Sequence, residues 1–459
     1  MVNRRRFLSH TCSLGVASAT VPSMLAALGW ARTAAAQQLS DYKALVCICL
    51  HGGNDSYNML VPTDADQYAE YLALRSDLAL PLGSLLPLPG VTAQGRSLGV
   101  HPQMPELHSL YSSGDAAFIA NVGTLVEPVV ASEVYSGAQI PLGLYSHSDQ
   151  IAQWQTARSE ERVADGWGGR VADLMQGVNP ANGVSMNISL AGSNVFQSGK
   201  EVVEYAITAN DDGAIRIPNY HEDSSYGIAK TLAIDNVLAN ARDDILTREY
   251  RRRLVNSIEA GETFIEAMQA GTPFTTQFAP DGFAQSLRQI ARVIASRDAL
   301  GVCRQTFFVQ VGGWDHHDEV LDNQARMLPW ISGGLAQFRD ALVELGIFND
   351  VTTFTISDFG RTLTSNGKGS DHGWGGHHIV MGGSVTGGQI YGEYPLLSPY
   401  GPLDVGRGVY VPTTAVDQYF AELALWFGVS RNDLSIVLPN VARFYSPTDP
   451  NPPLGFALT

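Results

Sequence analysis

Cysteine is scarce in this sequence: there are four, and Cys12 lies in an N-terminal leader, which leaves Cys47, Cys49 and Cys303. An odd number in strand-like runs excludes a disulfide framework as the source of stability. Cys47 and Cys49, two apart on one strand, point to the same face and read as small buried apolar residues. Positive charge is scarce too, with 29 Lys and Arg against 45 Asp and Glu. The resulting charge of −16 excludes a chain that holds nucleic acid or an anionic lipid surface by displacing counterions. No apolar run reaches the roughly 20 residues of a spanning helix, so no stable membrane span is expected. A G-x-S-x-G elbow, a Walker loop, a paired-cysteine metal knuckle and a Gly-rich dinucleotide fingerprint are all missing, which removes the chemistries built on them. No repeat of about 20 to 50 residues and no low-complexity tract is visible.

The first 36 residues stand apart. Asn3-Arg4-Arg5-Arg6-Phe7-Leu8 is followed by a broken apolar stretch from Cys12 to Leu28 and by Ala34-Ala35-Ala36, the order of an export signal. The paired arginines before Phe7-Leu8 resemble the twin-arginine type. The expectation is cleavage after Ala36 and a periplasmic or secreted mature chain of about 420 residues. Loss of the four leader arginines takes the formal charge to −20. That length buries a substantial core in one large domain, residues 37–459.

The pattern downstream is that of an α/β fold with a mostly parallel central sheet between helices. Ala44 to Leu50 is apolar on both faces, as a strand covered on each side must be. Further strands are expected at Ala116–Val122, Val184–Leu190, Gln305–Val311 and Val351–Ile356. Helices are expected at Gln67–Leu74, Pro105–Ser112, Gln150–Arg158, Asp281–Arg297, Asp318–Leu345 and Thr414–Phe427. One long helical stretch from Tyr226 to Ala270 opens a region, about 226–300, that reads as a helical insertion or cap shaping access to the site.

In such sheets ligands bind beyond the carboxyl ends of parallel strands. Those ends are where this sequence concentrates its reactive groups. His51-Gly52-Gly53-Asn54-Asp55 follows the first strand, Gly312-Gly313-Trp314-Asp315-His316-His317 follows another, and Ser357-Asp358 follows a third. Asp371, His372, His377 and His378 come next across a Gly/Ser/Asn loop, and Ser146-His147 opens a helix. Seven of ten mature histidines fall in these segments. That density of imidazole and carboxylate suits a Zn, Mn or Fe site. Taken singly, each segment also has a plain structural role: Asp358 or Ser146 as a helix cap, the glycines as turns.

Together, HGGNDSYNMLVP, SHSDQIAQW, GGWDHHDE and SDFGRT followed by SDHGWGGHH resemble the motif set of the DUF1501 family, exported bacterial proteins related to the alkaline phosphatase and sulfatase superfamily. The resemblance covers nearly the whole mature chain. It implies an alkaline-phosphatase-like core with one or two divalent ions (Zn, Mn, Fe or Ca) at the strand ends. Carried over by motif, Asp55, Asp315, His317, Asp358 and His372 become metal ligands, with His316 as the alternative to His317. Ser146 becomes the nucleophile. His147 becomes a proton relay or further ligand, and Arg361 either grips a non-bridging ester oxygen or is tied to a carboxylate of the fold. No Cys-x-Pro-x-Arg sequence is present to supply formylglycine, and Ser146 lacks the phosphatase Asp-Ser-Ala context.

The function this implies is exported, metal-dependent hydrolysis of phosphate or sulfate esters, small or polymeric. Attack would come from Ser146 or a metal-bound hydroxide, with two ions roughly 4 Å apart stabilising entering and departing oxygens. The alternative is a non-catalytic exported binding or accessory protein with a vestigial metal site and a protein partner. A phosphomutase or phosphodiesterase on the same scaffold is a third reading.

Overall fold

A computed structural model describes residues 41–179, 183–210, 212–239 and 244–457. The leader lies outside them. The strands of the main sheet and of the pair beside it are β1 (Lys43–His51), β2 (Ala116–Gly123), β3 (Asn187–Ser189), β4 (Tyr205–Ala206), β5 (Arg304–Gly312), β6 (Val351–Ser357), β7 (Arg361–Ser365), β8 (Ser370–His372), β9 (Gly376–Met381), β10 (Ile390–Gly392) and β11 (Thr414–Ala415); Leu60–Pro62, Leu86–Pro87 and Leu98–Val100 form a small separate sheet. The helices that matter below are α1 (Ala65–Arg75), α2 (Pro105–Ser112), α3 (His147–Thr156), α4 (Trp167–Leu174), α5 (Ser225–Ala239), α6 (Ile245–Ala270), α7 (Gly282–Ala295), α8 (Val320–Glu344) and α9 (Val416–Phe427).

Nine strands form one sheet in the order β10-β2-β9-β6-β1-β5-β3-β4, with β11 also on β2. β1 pairs in parallel with both β5 and β6, so the most apolar strand is also the central one. Its alternate residues enter different cores. Ala44, Val46, Ile48 and Leu50 pack with α2, α7 and α8 on one side, while Leu45, Cys47 and Cys49 pack with Trp154 of α3, Trp167 of α4 and Phe420 of α9 on the other. This is a three-layer α/β/α fold, and both cysteines are free and buried within it.

The structure redraws several sequence expectations. His377 and His378, grouped by the sequence with His372 beyond a Gly/Ser/Asn loop, lie on β9, which runs antiparallel between β2 and β6. The stretch expected as one helix from Tyr226 to Ala270 is two, because the Asp244 carboxylate accepts the Leu246 and Thr247 amides and starts α6 afresh. Within the region expected as a cap, α7 is a sheet-covering helix, burying Leu287, Ile290 and Val293 beside α8. Helix α3 begins at His147 and stops at Ala157, a residue with φ of 51°. No helix among the described residues is long and apolar enough to cross a membrane.

Burial governs the two β9 histidines. The Nδ1 of His377 accepts the Asn121 amide (3.1 Å), and the His378 ring packs on Trp154 (4.6 Å between centroids). Burial pushes both down to about 3 from 6.5. The unfolded chain therefore takes protons first as pH falls below 6.5, and folding stability is lost progressively from there towards about 3. At pH 5 the expected cost is roughly 2 kcal/mol per imidazole relative to pH 7. Urea unfolding at the two pH values measures it; His378→Phe, which keeps the ring packing, should remove about half of that slope.

Candidate metal centre

The site is built on a turn that only glycine can make. Gly52 (φ 121°) and Gly53 (φ 82°) turn the chain directly after β1. A Cβ on Gly52 would lie 2.7 Å from the Asp315 backbone nitrogen, and one on Gly53 would lie 2.5 Å from the Phe359 ring. The segments after β5 and β6 can therefore close over the turn. Arg361, fully buried, locks them there. Its Nε donates to Gly53 O (2.9 Å), its Nη2 to Gly52 O (2.7 Å) and to the Asp315 carboxylate, and its Nη1 to Ser370 O (3.0 Å). Arg361 is thus tied to a carboxylate and to backbone carbonyls of the fold, the second of its two expected roles.

Above this frame four side chains converge. His147 Nε2 lies 3.1 Å from His372 Nε2, which lies 2.9 Å from His317 Nε2. The Asp315 carboxylate sits 3.1 Å from His317 Nε2 and 3.5 Å from both His147 Nε2 and His372 Nε2. One ligand atom from each of His147, Asp315 and His372 lies within 4.8 Å of the others.

The tautomers follow from what stands behind each ring. His147 Nδ1 is 2.7 Å from Asp358 Oδ2, His317 Nδ1 is 3.2 Å from Asp371 Oδ1, and His372 Nδ1 is 2.8 Å from the Tyr145 carbonyl. The acceptors behind His147 and His372 place their protons on Nδ1 and turn their Nε2 lone pairs inward, whereas His317 has a carboxylate at each nitrogen, Asp371 at Nδ1 and Asp315 at Nε2. Two lone pairs and a carboxylate facing one another repel unless a cation or a proton lies among them. Outer acceptors on ring N–H groups are how metal-binding imidazoles are oriented. The residues present therefore fit a divalent ion. Three imidazoles with one carboxylate suit Zn, Mn or Fe, whereas Ca takes oxygen donors.

Electrostatics agree with that role. Burial raises the Asp315 pKa, but Arg361 outweighs it and holds the carboxylate below its ordinary range. Burial holds His372 neutral by lowering its pKa. Asn366 and, after burial's opposing effect, Arg407 keep Asp371 ionised, down to about 2, so it stays an acceptor for His317. The Phe359 ring, 4.7 Å from His147 and 4.6 Å from His372, forms an apolar wall.

The other expected ligands fall elsewhere. Asp358 stands one layer back, accepting His147 Nδ1–H and the Gly52 amide (3.0 Å). Asp55 is buried against Arg75 (2.8 Å) and Ser370 Oγ (2.6 Å). Of the adjacent pair, His317 faces the cluster; His316 is buried beside Trp314 (5.9 Å between centroids), with its pKa lowered by burial. Ser146 precedes α3 directly, and its Oγ lies 3.1 Å from Ser148 Oγ. His147, expected as a relay or ligand, supplies one of the converging nitrogens. Asp371 belonged to the carboxylate- and imidazole-rich run read from the sequence but had no role of its own, and the Tyr145 carbonyl was not expected. Asp371 had a signal in its place beside His372; a backbone carbonyl aimed by a tyrosine at φ 73° has none.

The DUF1501 family profile, described as "Protein of unknown function (DUF1501)", matches residues 42–413. The chain belongs to the DUF1501 family. No curated protein matches it. Among solved structures it is similar to Ps i-CgsB in complex with k-i-k-neocarrahexaose, at 8% identity over 88% of this chain and 78% of that one, TM-score 0.35. It is also similar to the PsFucS1 sulfatase from Pseudoalteromonas sp. (10% identity, 87% and 72% covered, TM-score 0.34) and to a mutant of the alkaline phosphatase PafA (14%, 70% and 64%, TM-score 0.26). Overlaps this loose do not transmit an activity or a ligand set to this DUF1501 chain.

Metal titration of the mature protein, read by elemental analysis and calorimetry, should give one tightly bound equivalent of Zn, Mn or Fe. His372→Ala should abolish tight binding, and Asp358→Asn should weaken it about 10- to 100-fold by loosening His147. His316→Gln should leave the stoichiometry unchanged.

Proposed function

We propose that this DUF1501 chain is an exported, metal-dependent hydrolase of phosphate or sulfate esters, with its centre at His147, Asp315, His317 and His372. The single observation that carries the reading is the convergence of three Nε2 atoms on the Asp315 carboxylate, each ring held from behind through Nδ1. A site prepared this way for a cation, partly open to solvent, suits an anionic substrate better than a neutral one. Twin-arginine export, which carries folded proteins, is compatible with loading a metal before transport.

A divalent ion held by these residues supplies positive charge for the oxygens of a phosphate or sulfate group. The chain's own groups do the rest. The Asp315 carboxylate would offset only one of the two charges of a divalent ion, so a positive charge would remain for the ester oxygens. Ser146 stands immediately before His147 at the start of a ten-residue helix, where unpaired amides favour developing negative charge. Its hydroxyl reaches the Asp149 carboxylate, and Arg162 holds that carboxylate ionised by lowering its pKa. Asp149 therefore orients the hydroxyl and is a weak acceptor for its proton at neutral pH. Phe359 keeps one side of His147 and His372 dry, which strengthens the charge interactions there.

The metal-loaded mature protein should hydrolyse 4-nitrophenyl phosphate or 4-nitrophenyl sulfate, and His372→Ala should lose that activity together with the metal. Ser146→Ala should keep the metal and lose about 100-fold or more in kcat if the serine attacks. An Ser146→Ala enzyme within about tenfold of the parent would assign the attack to water. A protein that binds metal and turns over neither ester, nor a panel of sulfated and phosphorylated sugars, would be the non-catalytic binding protein.

A further inference from the structure

Asp417 lies on the first turn of α9, wholly enclosed, and neither of its oxygens has a hydrogen-bond partner in another residue. Among the described residues no other carboxylate has both oxygens buried in that state. The helix does not need it as a cap, because Gln418 Oε1 accepts the Ala415 amide (3.0 Å) and closes the N-terminus. A carboxyl group in such a place is hard to ionise, since nothing replaces the water it gave up.

Its cationic neighbours are committed elsewhere. Arg170 of α4 gives Nε to Val437 O (2.7 Å), Nη1 to Asp165 O (2.7 Å) and Nη2 to Thr156 O. Arg443, at the end of the short helical turn Val441–Arg443, gives Nη1 to Val126 O (3.0 Å) and holds Nη2 3.3 Å from Glu160. Glu160 is braced there by Asn440 Nδ2 (2.7 Å). Two acids therefore face one arginine able to change partner, and Glu160, the more exposed, has it. Three further elements packed on α9, β2, β11 and Leu434–Val437, carry no titratable side chain. From β1 come Lys43, bonded to Trp426 O (2.8 Å) at the last turn of α9, and the thiols of Cys47 and Cys49, kept neutral by burial. Glu422, on α9 itself, accepts the Leu454, Gly455 and Ala457 amides.

We infer that Asp417 is a proton-operated latch on the C-terminal turn Val441–Arg443. Protonated, it leaves Arg443 to Glu160 and the turn docked on α9; ionised, it draws Arg443 off Glu160 and loosens the turn. Burial first, and Glu160 after it, raise the Asp417 pKa from 3.8 to about 7, with its own amide, Arg443 and Arg170 opposing them. The unfolded chain ionises this carboxyl near 3.8, so the stability that Asp417 contributes falls as pH rises from there through about 7. That slope is opposite in sign to the slope from His377 and His378. The latch is independent of the metal centre and of the proposed hydrolysis.

Urea unfolding of the mature protein at about pH 6 and about pH 8.5, parent beside Asp417→Asn, tests it. The histidine contribution is common to both chains and cancels in the comparison. Over that range the parent's folding constant should fall about tenfold relative to that of Asp417→Asn. Hydrogen exchange at the Arg443, Phe444 and Tyr445 amides, corrected for the intrinsic rate, should quicken with pH in the parent and not in the variant. Glu160→Gln, at a partly exposed position, frees Arg443 and removes the like charge, so it should move the exchange transition to lower pH; this variant carries the test should Asp417→Asn not fold. Parent and Asp417→Asn differing by less than about twofold in their pH dependence would overturn the proposal. So would exchange at those amides that does not respond to pH, or a transition that Glu160→Gln leaves in place.

Discussion

The buried guanidinium of Arg361 is the constraint on which the site depends. It makes charge-assisted hydrogen bonds to carbonyls of Gly52, Gly53 and Ser370 and to the Asp315 carboxylate, and so joins three chain segments that leave three different strands. A buried charge is tolerable only when its donors are met, and each such bond contributes about 1.5–3 kcal/mol. Two consequences follow. The turn after β1 must be glycine, since its carbonyls have to point at the guanidinium while Phe359 and the Asp315 amide lie within 3 Å of where side chains would begin. Asp315, half exposed and otherwise free to swing, is held ionised and facing the three imidazoles.

The histidines show how one residue type divides between two jobs. His377 and His378 sit in a strand interior, where burial keeps them neutral and their rings serve as packing surface against Tyr394 and Trp154. His147, His317 and His372 stand at the ends of elements, partly open to water, each with an acceptor behind Nδ1. What separates the groups is position: the strand encloses one pair on every side, whereas the other three turn Nε2 towards one another at an edge open to water.

Much of this was legible in the sequence. The doubly apolar run Ala44–Leu50 announced a central parallel strand, and Gly-Gly and Ser-Asp at strand ends marked the edge where Asp315, His317 and His372 meet. What escaped detection had no local signature. Periodicity could not tell His316 from His317, since adjacent residues leave a strand end at angles set by the turn that Arg361 imposes. It could not place Asp358 behind His147, because that depends on how far α3 stands from β6. The run His377–Met381 is short and begins with two polar rings, so its membership of the sheet comes from pairing with β2 and β6 rather than from any alternation of its own.

The resemblance to the phosphatase and sulfatase superfamily implied an aspartate after the first strand as a ligand and allowed a second ion. Here that aspartate, Asp55, is neutralised within the fold: Arg75 pairs with it, both side chains fully buried, and Ser370 donates to the same oxygen. Removing one partner from a buried pair costs about 3–5 kcal/mol, so the Arg75 contact holds this Asp55 oxygen in place. The other Asp55 oxygen is buried without a partner, and Arg75 also donates to Asn58 Oδ1 and the Thr362 carbonyl. Among the described residues one group, His147, Asp315 and His372, brings three ligand atoms within 4.8 Å of one another. It stands at the open edge above Asp358, while Asp55 stays with Arg75 in the core beneath.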